Sequence, residues 1–320
     1  MRRLIYLLFA IIIIVIIVWG TGSTQEETEF QPTILNPLGP TVIPVAGITG
    51  DKLESDIPVD VHFYKNTDEA IAMLSSDSGQ FAVLPVTAAA NIYNSGIDIT
   101  MLGVYNWKVF YMVASNEVEF NDWGSLKEKT VYTPIGRGQT ADILMRFALS
   151  KQGVDPESEV EIQYAPPQEI VTLFQTGKID YAALPEPFAS LAINDGNGEI
   201  VLDLQEYWGK INETNERIPI TGLFVKNDFL DSYPQETQEI VQLFDASINW
   251  SNANVDKAIE VSQETLPIPQ PIMKDALTRI DFYYVPASRC QEEVDDFLRK
   301  MQELYPQGIR ELPDERFYAQ

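Results

Sequence analysis

The pentapeptide FAVLP at Phe81–Pro85 returns as YAALP at Tyr181–Pro185, an offset of 100 residues, and its flank returns with it. DEAIAML precedes the first copy and QEIVTLF the second, so each unit carries a glutamate (Glu69, Glu169) followed by an apolar run. In the first unit the run is Ile71, Met73 and Leu74; in the second it is Val171, Leu173 and Phe174. Each copy reads as a helix, a buried strand, and a proline that ends the strand and leads into the next helix. A chain that builds this unit twice is constrained to two α/β halves, at about residues 31–115 and 120–215.

The surrounding pattern agrees. Strands are predicted at Thr33–Leu35, Pro58–Tyr64, Gln80–Leu84 and Ile97–Val104, with an extended apolar run at Val109–Ala114 and helices at Thr67–Ser76 and Val86–Tyr93. The pattern restarts with strands at Thr130–Thr133, Glu159–Tyr164 and Ile179–Leu184, and helices at Gln139–Gln152, Gln168–Gln175 and Pro185–Ile193. After an extended segment at Ile218–Val225 the rest is mostly helical: Gln235–Asn252, Val255–Thr265, Ile272–Phe282 and Ser288–Tyr305. Such alternation predicts parallel sheets of βαβ units, and in open parallel sheets ligands bind beyond the carboxyl ends of the strands. Leu84-Pro85 and Leu184-Pro185 mark two such ends.

Composition removes several function classes. With 47 acidic against 22 basic residues the net charge is −25, a field that repels nucleic acid. The single cysteine, Cys290, excludes a disulfide framework, and the single histidine, His62, lies in the strand-like VDVHFY with no second ligand nearby. No metal site, cofactor, or Cys–His or Ser–His–Asp chemistry is expected. At the N-terminus Arg2 and Arg3 precede the unbroken apolar run Leu4–Trp19 and a polar segment. This is the logic of export: residues 1–22 are a membrane anchor or a cleaved signal segment, and 23–30 a polar tether. The span is long and its cleavage site poor, which favours the anchor, and the arginines put all that follows outside the cytoplasm. The absence of a following cysteine excludes a lipoprotein.

The stretches NPLGPTVIPVAG, FAVLPVTAAANIY, YTPIGRGQTADILMRFAL and PQEIVTLFQTGKIDYAALPEPFASLA carry a likeness to a known group. Over roughly residues 30–305 the chain resembles the extracytoplasmic solute-binding proteins of ABC transporters, in the nitrate, sulfonate, taurine and thiamine-precursor group. The resemblance implies a two-lobed periplasmic-binding-protein type II fold, each lobe a mixed sheet flanked by helices, with ligand in the cleft between. It implies lobe 1 at 31–116 and 220–320, lobe 2 at 117–219, and crossings near Ala114–Phe120 and Ile218–Phe224. It further implies a monomer that captures a small organic solute and passes it to an ABC permease and its ATPase, without chemistry. Enzymes of menaquinone and pyrimidine synthesis resemble the same scaffold, but the former are cytoplasmic and the latter need more than one Cys and one His. A ligand-sensing module is the other alternative, though no signalling domain follows.

Candidate ligand contacts cluster at strand ends. In GRGQT, Gly136 and Gly138 let backbone approach a ligand, and the following helix points its N-terminus at the loop, which favours an anionic or accepting group. Gln139 and Thr140 rank above Arg137 there, and the alternative role for Thr140 is a helix cap. Pro85 and Thr87 open the equivalent helix of the first half. Gly39 and Thr41 lie in the LGPT loop, where the resemblance implies ligand contact. Glu186, in PEP, either accepts from a ligand donor or pairs with a cation. Trp107, in the polar-flanked YNWK, is expected to form an aromatic wall suited to an organic ligand. GRGQT and Glu186 together ask for a zwitterion or a neutral heterocycle.

Overall fold

In the computed structural model, which describes residues 31–134 and 136–319, the two repeated pentapeptides occupy equivalent places in two sheets. The expected anchor at 1–22 and tether at 23–30 lie outside the described residues.

The first half forms β1 (Thr33–Pro37), β2 (Asp60–Tyr64), α1 (Thr67–Ser75), β3 (Phe81–Pro85), α2 (Val86–Asn94), β4 (Ile99–Lys108) and β5 (Phe110–Ser115). The second forms β6 (Thr130–Pro134), α3 (Thr140–Lys151), β7 (Glu161–Ala165), α4 (Pro167–Gln175), β8 (Tyr181–Pro185), α5 (Phe188–Ile193), β9 (Gly198–Asp203) and α6 (Leu204–Asn212). The remainder supplies β10 (Thr221–Lys226), α7 (Pro234–Ala253), α8 (Val255–Ser262), α9 (Gln270–Leu277), β11 (Asp281–Pro286) and α10 (Ala287–Leu304), with shorter helical turns between.

One sheet runs β11-β4-β10-β3-β1-β2 and the other β7-β6-β8-β5-β9. The orders correspond. β1 pairs in parallel with β2 and β3, and β6 with β7 and β8. The registers match as well: Ile34 faces Phe81 and Leu35 faces Ala82, as Val131 faces Tyr181 and Tyr132 faces Ala182. Against β3 lies antiparallel β10, and against β8 lies antiparallel β5. Phe81–Leu84 and Tyr181–Leu184 are buried, as parallel strands covered on both faces must be.

The passage between sheets comes earlier than expected. β4 ends in the first sheet at Lys108 and β5 begins in the second at Phe110, so only Val109 separates them. Phe110–Ser115 pairs with β8 and β9 and belongs to the second sheet, not to a lobe ending at 116. The sequence places this run in the first half because strand propensity does not name the partner edge. On the return, the Ile218 and Ile220 N–H groups donate to the carbonyls of Trp107 and Asn106, 3.0 Å each, so the chain is back on the first sheet from Ile218, where the expected crossing begins.

Three elements are absent from the sequence reading: β9, α6 and β11. α6 carries a recognisable start, since the Asp203 carboxylate accepts from the N–H groups of Gln205 and Glu206. β11 overlaps the predicted helix Ile272–Phe282 only at Asp281 and Phe282, and the helix itself stops at Leu277. His62 lies 3.4 Å from Glu69, whose carboxyl the Lys65 N–H and then His62 hold below its ordinary range. Among the described residues no group of three or more His, Cys, Asp or Glu could hold a metal ion, and no helix is long and apolar enough to cross a membrane.

Candidate functional site

A cavity of about 210 Å³ lies where the strand ends of both sheets meet. Four parallel strands terminate in it, each on a proline: Pro37 of β1, Pro85 of β3, Pro134 of β6 and Pro185 of β8. A strand-ending proline cannot donate to the ladder, so pairing stops and the chain turns away. Val109 and Ile220, which flank the two passages between the sheets, also line the cavity. The starts of α2, α3 and α4 reach it through Pro85, Gln139–Ala141 and Pro167. N–H groups in a first helical turn have no partner within the helix and carry the positive end of its dipole.

Of the residues singled out above, Gly39, Thr41, Pro85, Gln139 and Thr140 line this cavity. The Thr41 hydroxyl donates to the Pro37 carbonyl at 3.0 Å and accepts from the Asn36 amide at 3.2 Å, which holds the LGPT loop over the cavity. Gly39 has φ 152° and ψ −157°, a region that residues with a Cβ avoid. Gln139 is the residue preceding α3 and its side chain makes no capping bond, so neither it nor Thr140 serves as a cap.

Thr87, Arg137 and Gly138 lie instead around a second cavity of about 430 Å³, which Gln139 and Tyr305 also line. Arg137 turns outward, bonding both oxygens of Glu157 and stacking 5.6 Å above the Tyr305 ring. Gly136 lines neither; its carbonyl accepts from the Gln139 N–H at 3.3 Å. Buried Asp142, one turn into α3, sets the shape of this loop. It accepts from the Gly138 N–H, the Arg146 Nε and the Tyr164 hydroxyl, 2.8 Å each.

Trp107 lies away from the first cavity. Its indole is fully buried, donates to the Tyr283 carbonyl at 3.0 Å, stacks on the Tyr283 ring and carries the Arg217 guanidinium 4.2 Å above it. Because side chains alternate along a strand, Asn106 takes the cavity-facing position instead. Asn106 is 2% exposed, its Oδ1 has no hydrogen-bond partner, and its register partner Thr221 lines the cavity beside it. Phe110 and Phe188 supply the aromatic surface expected of Trp107.

Glu186 also faces elsewhere. Fully buried, it accepts from the Ser190 N–H and hydroxyl at 2.9 Å each and from Arg279 Nε at 2.6 Å. Of its two expected roles it takes the pairing with a cation. Burial disfavours the charged Arg279 guanidinium, but the bonds to Asp275 and Glu186 outweigh this and hold its pKa above the ordinary value. The Arg279 carbonyl accepts from the Tyr111 hydroxyl at 2.5 Å, so β5, β8 and the end of α9 are joined at one point.

The missed lining residues had one usable signal, strand alternation, which sets Asn106 opposite Trp107 once one of them is known to be buried in the other direction.

Comparison with known proteins bears on the fold and the family. The crystal structure of an ABC transporter protein from Parabacteroides distasonis superposes with a TM-score of 0.77 at 26% identity, over 91% of this chain and 99% of that one. The periplasmic aliphatic sulphonate binding protein SsuA of Escherichia coli superposes with a TM-score of 0.74 at 15% identity, over 91% and 92%. The fold is therefore the periplasmic-binding-protein type II fold. The nitrate/nitrite binding protein NrtA of Synechococcus elongatus is 26% identical over 143 residues, which is 44% of this chain and 30% of NrtA, so the match spans under a third of that relative. The NMT1-like family matches residues 60–264, and the chain belongs to that family.

Proposed function

We propose that this protein is the solute-binding component of an ABC import system, working outside the cytoplasm. It closes its two lobes on a small organic solute and delivers it to a permease and its ATPase. One observation carries this reading: the cavity is bounded by strand ends of both sheets and by both passages between them, Val109 and Ile220. Rotation of one sheet about those passages would open and close the cavity without breaking either sheet. The kinship to NrtA and the likeness to SsuA support the role, and the N-terminal apolar segment suits a protein held at the outer face of the membrane. Among the described residues the cavity lining offers no acid, base or thiol, which suits capture and release rather than turnover.

The test is binding to the purified full chain, by thermal shift and by mass spectrometry of the recovered solute. The panel spans sulfonates, taurine, nitrate, pyrimidines and other small heterocycles. A solute at 100 times its dissociation constant adds about 2.7 kcal/mol of stability. Recovery of the solute unchanged supports the proposal, and conversion to a product refutes it.

A further inference from the structure

The two cavities meet at consecutive residues of one loop. Gln139 and Thr140 line the first, while Arg137, Gly138 and again Gln139 line the second. The loop is fixed to the lobe of the second sheet, because buried Asp142 holds the Gly138 N–H and the Glu157 carboxylate holds Arg137. Facing it in the second cavity is Tyr305, the residue after α10.

Tyr305 is fastened to the other lobe. Its carbonyl accepts from the Gly308 N–H at 2.9 Å in a tight turn, and the Gly308 carbonyl accepts from the Asn91 amide at 2.6 Å. Asn94 donates to the Glu311 carbonyl, and the Tyr93 hydroxyl to the Asp314 carboxylate, 2.6 Å each. Three side chains of α2 thus tie this segment to the lobe of the first sheet.

Across the gap the contact is of another kind. The Arg137 guanidinium lies 5.6 Å from the centre of the Tyr305 ring. The ring edge rests so closely on Gly138 that a Cβ there would come within 2.2 Å of Cε1, and a Cβ on Gly308 would come within 2.4 Å of Cδ1. The same edge therefore fits between two glycines, one from each lobe, held by dispersion and by attraction to the cation. The ring is only half-buried, so this contact can part without opening a packed core.

Other contacts between the lobes adjoin the passages. Glu186 pairs with Arg279, and its own N–H donates to the Val109 carbonyl at 2.8 Å. The Trp208 ring meets Phe297 of α10 edge-on at 5.8 Å, beside Arg217 and Pro219 of the return passage. A hinge rotation moves groups near its axis little and groups away from it most. Neither Val109 nor Ile220 lines the cavity of Tyr305. Opening the cleft would part Tyr305 from Gly138 and, in the same motion, withdraw Gln139 and Thr140 from the solute.

We propose that Tyr305 latches the two lobes closed: it does not line the solute cavity, but its docking on Gly138 favours the arrangement in which Gln139 and Thr140 reach the solute, a role that rests on the solute-binding reading above and adds a positioning residue to it. Apparent affinity scales with the fraction of chains in the competent form, so the latch sets how long a solute stays.

The test is the distance between two spin labels on the full chain, by double electron–electron resonance. Asp68→Cys and Gln168→Cys put one label on the exposed first turn of α1 and one on that of α4, one per lobe. The native Cys290 is buried and stays unlabelled. Without solute, Tyr305→Ala should lower the ratio of closed to open chains about 5- to 20-fold, and Tyr305→Phe, which keeps the ring, should hold it within about 2-fold. Each variant is first matched to the parent by thermal melt. If Tyr305→Ala does not fold, Gly308→Ala, which pushes the same ring edge from its own side, should shift the ratio in the same direction and decides. A ratio that Tyr305→Ala leaves unmoved, or a Tyr305→Phe chain as open as Tyr305→Ala, overturns the latch. Calorimetric titration with taurine, benzenesulfonate, nitrate and uracil separates the two readings. Any of them that binds the parent should bind Tyr305→Ala more weakly by the same factor as the ratio falls. If none binds while the ratio shifts, the solute-binding reading falls and the latch stands; if one binds both chains equally, the latch falls and the solute-binding reading stands.

Discussion

Arg279→Met tests whether the tie at Glu186 is as consequential as its burial implies. Glu186 has no exposed surface and Arg279 is its one ionic partner among the described residues; 26% of the Arg279 side chain reaches solvent. Removing one member of a buried pair leaves an uncompensated charge and costs about 3–5 kcal/mol. Two bonds from Ser190 remain on the carboxylate and solvent enters from the Arg279 side, so the cost falls at or just below that range, about 2–3 kcal/mol. At about 2–4 °C per kcal/mol for a chain of this order of size, the melting temperature should fall by roughly 4–12 °C. The measurement is thermal unfolding of the full chain by circular dichroism. Methionine keeps the apolar stem and removes the charge, so lost packing contributes little. Combining it with Glu186→Gln should restore most of the loss, because no buried charge is then left alone. A fall below about 1 °C in the single variant, or a double variant worse than the two singles added, would refute the reasoning.

Other outcomes follow from single contacts. Gly138 has φ +83°, and a Cβ there would run into the Tyr305 ring, so Gly138→Ala should cost at least about 1 kcal/mol by denaturant titration; Tyr305→Ala in the same chain should recover the steric part only. Asp142→Ala removes the acceptor shared by Gly138, Arg146 and Tyr164, and a loss of about 2–4 kcal/mol is expected in the same titration. Burial pushes the Cys290 thiol up to about 11, so at pH 8 the native chain should not react with a thiol reagent while the denatured chain reacts fully. Gln139→Ala should weaken solute binding in a titration and leave the melting temperature of the free protein within about 1 °C, since Gln139 caps nothing.

Much of the architecture is readable in one repeat. FAVLP and YAALP carry their burial, their terminating proline and their flanking helices in consecutive residues, and all of these are local properties. The equivalence of β3 and β8, down to the matched registers of Phe81 and Tyr181, follows from that local identity. The two other strand-ending prolines, Pro37 and Pro134, lie just beyond the predicted strands Thr33–Leu35 and Thr130–Thr133, because a residue at a strand end looks the same as one just beyond it.

Where the sequence reading and the structure part, the deciding partner is distant. Phe110–Ser115 has the composition of any buried strand, and only the free edge of β8 assigns it to the second sheet. Glu186 has its two roles resolved by Arg279, 93 residues away, and Arg137 by Glu157. Asn106 and Trp107 are neighbours on one strand, so whichever faces the cavity puts the other on the opposite face, and a one-residue slip would exchange them. By itself the sequence determined the two α/β halves, the strand ends and the region of the chain that meets at the cleft, because those depend on periodicity and on proline. Tertiary structure alone decided which side chains look into the cleft and which charges are spent on one another, because those depend on the packing of elements that the chain brings together from far apart.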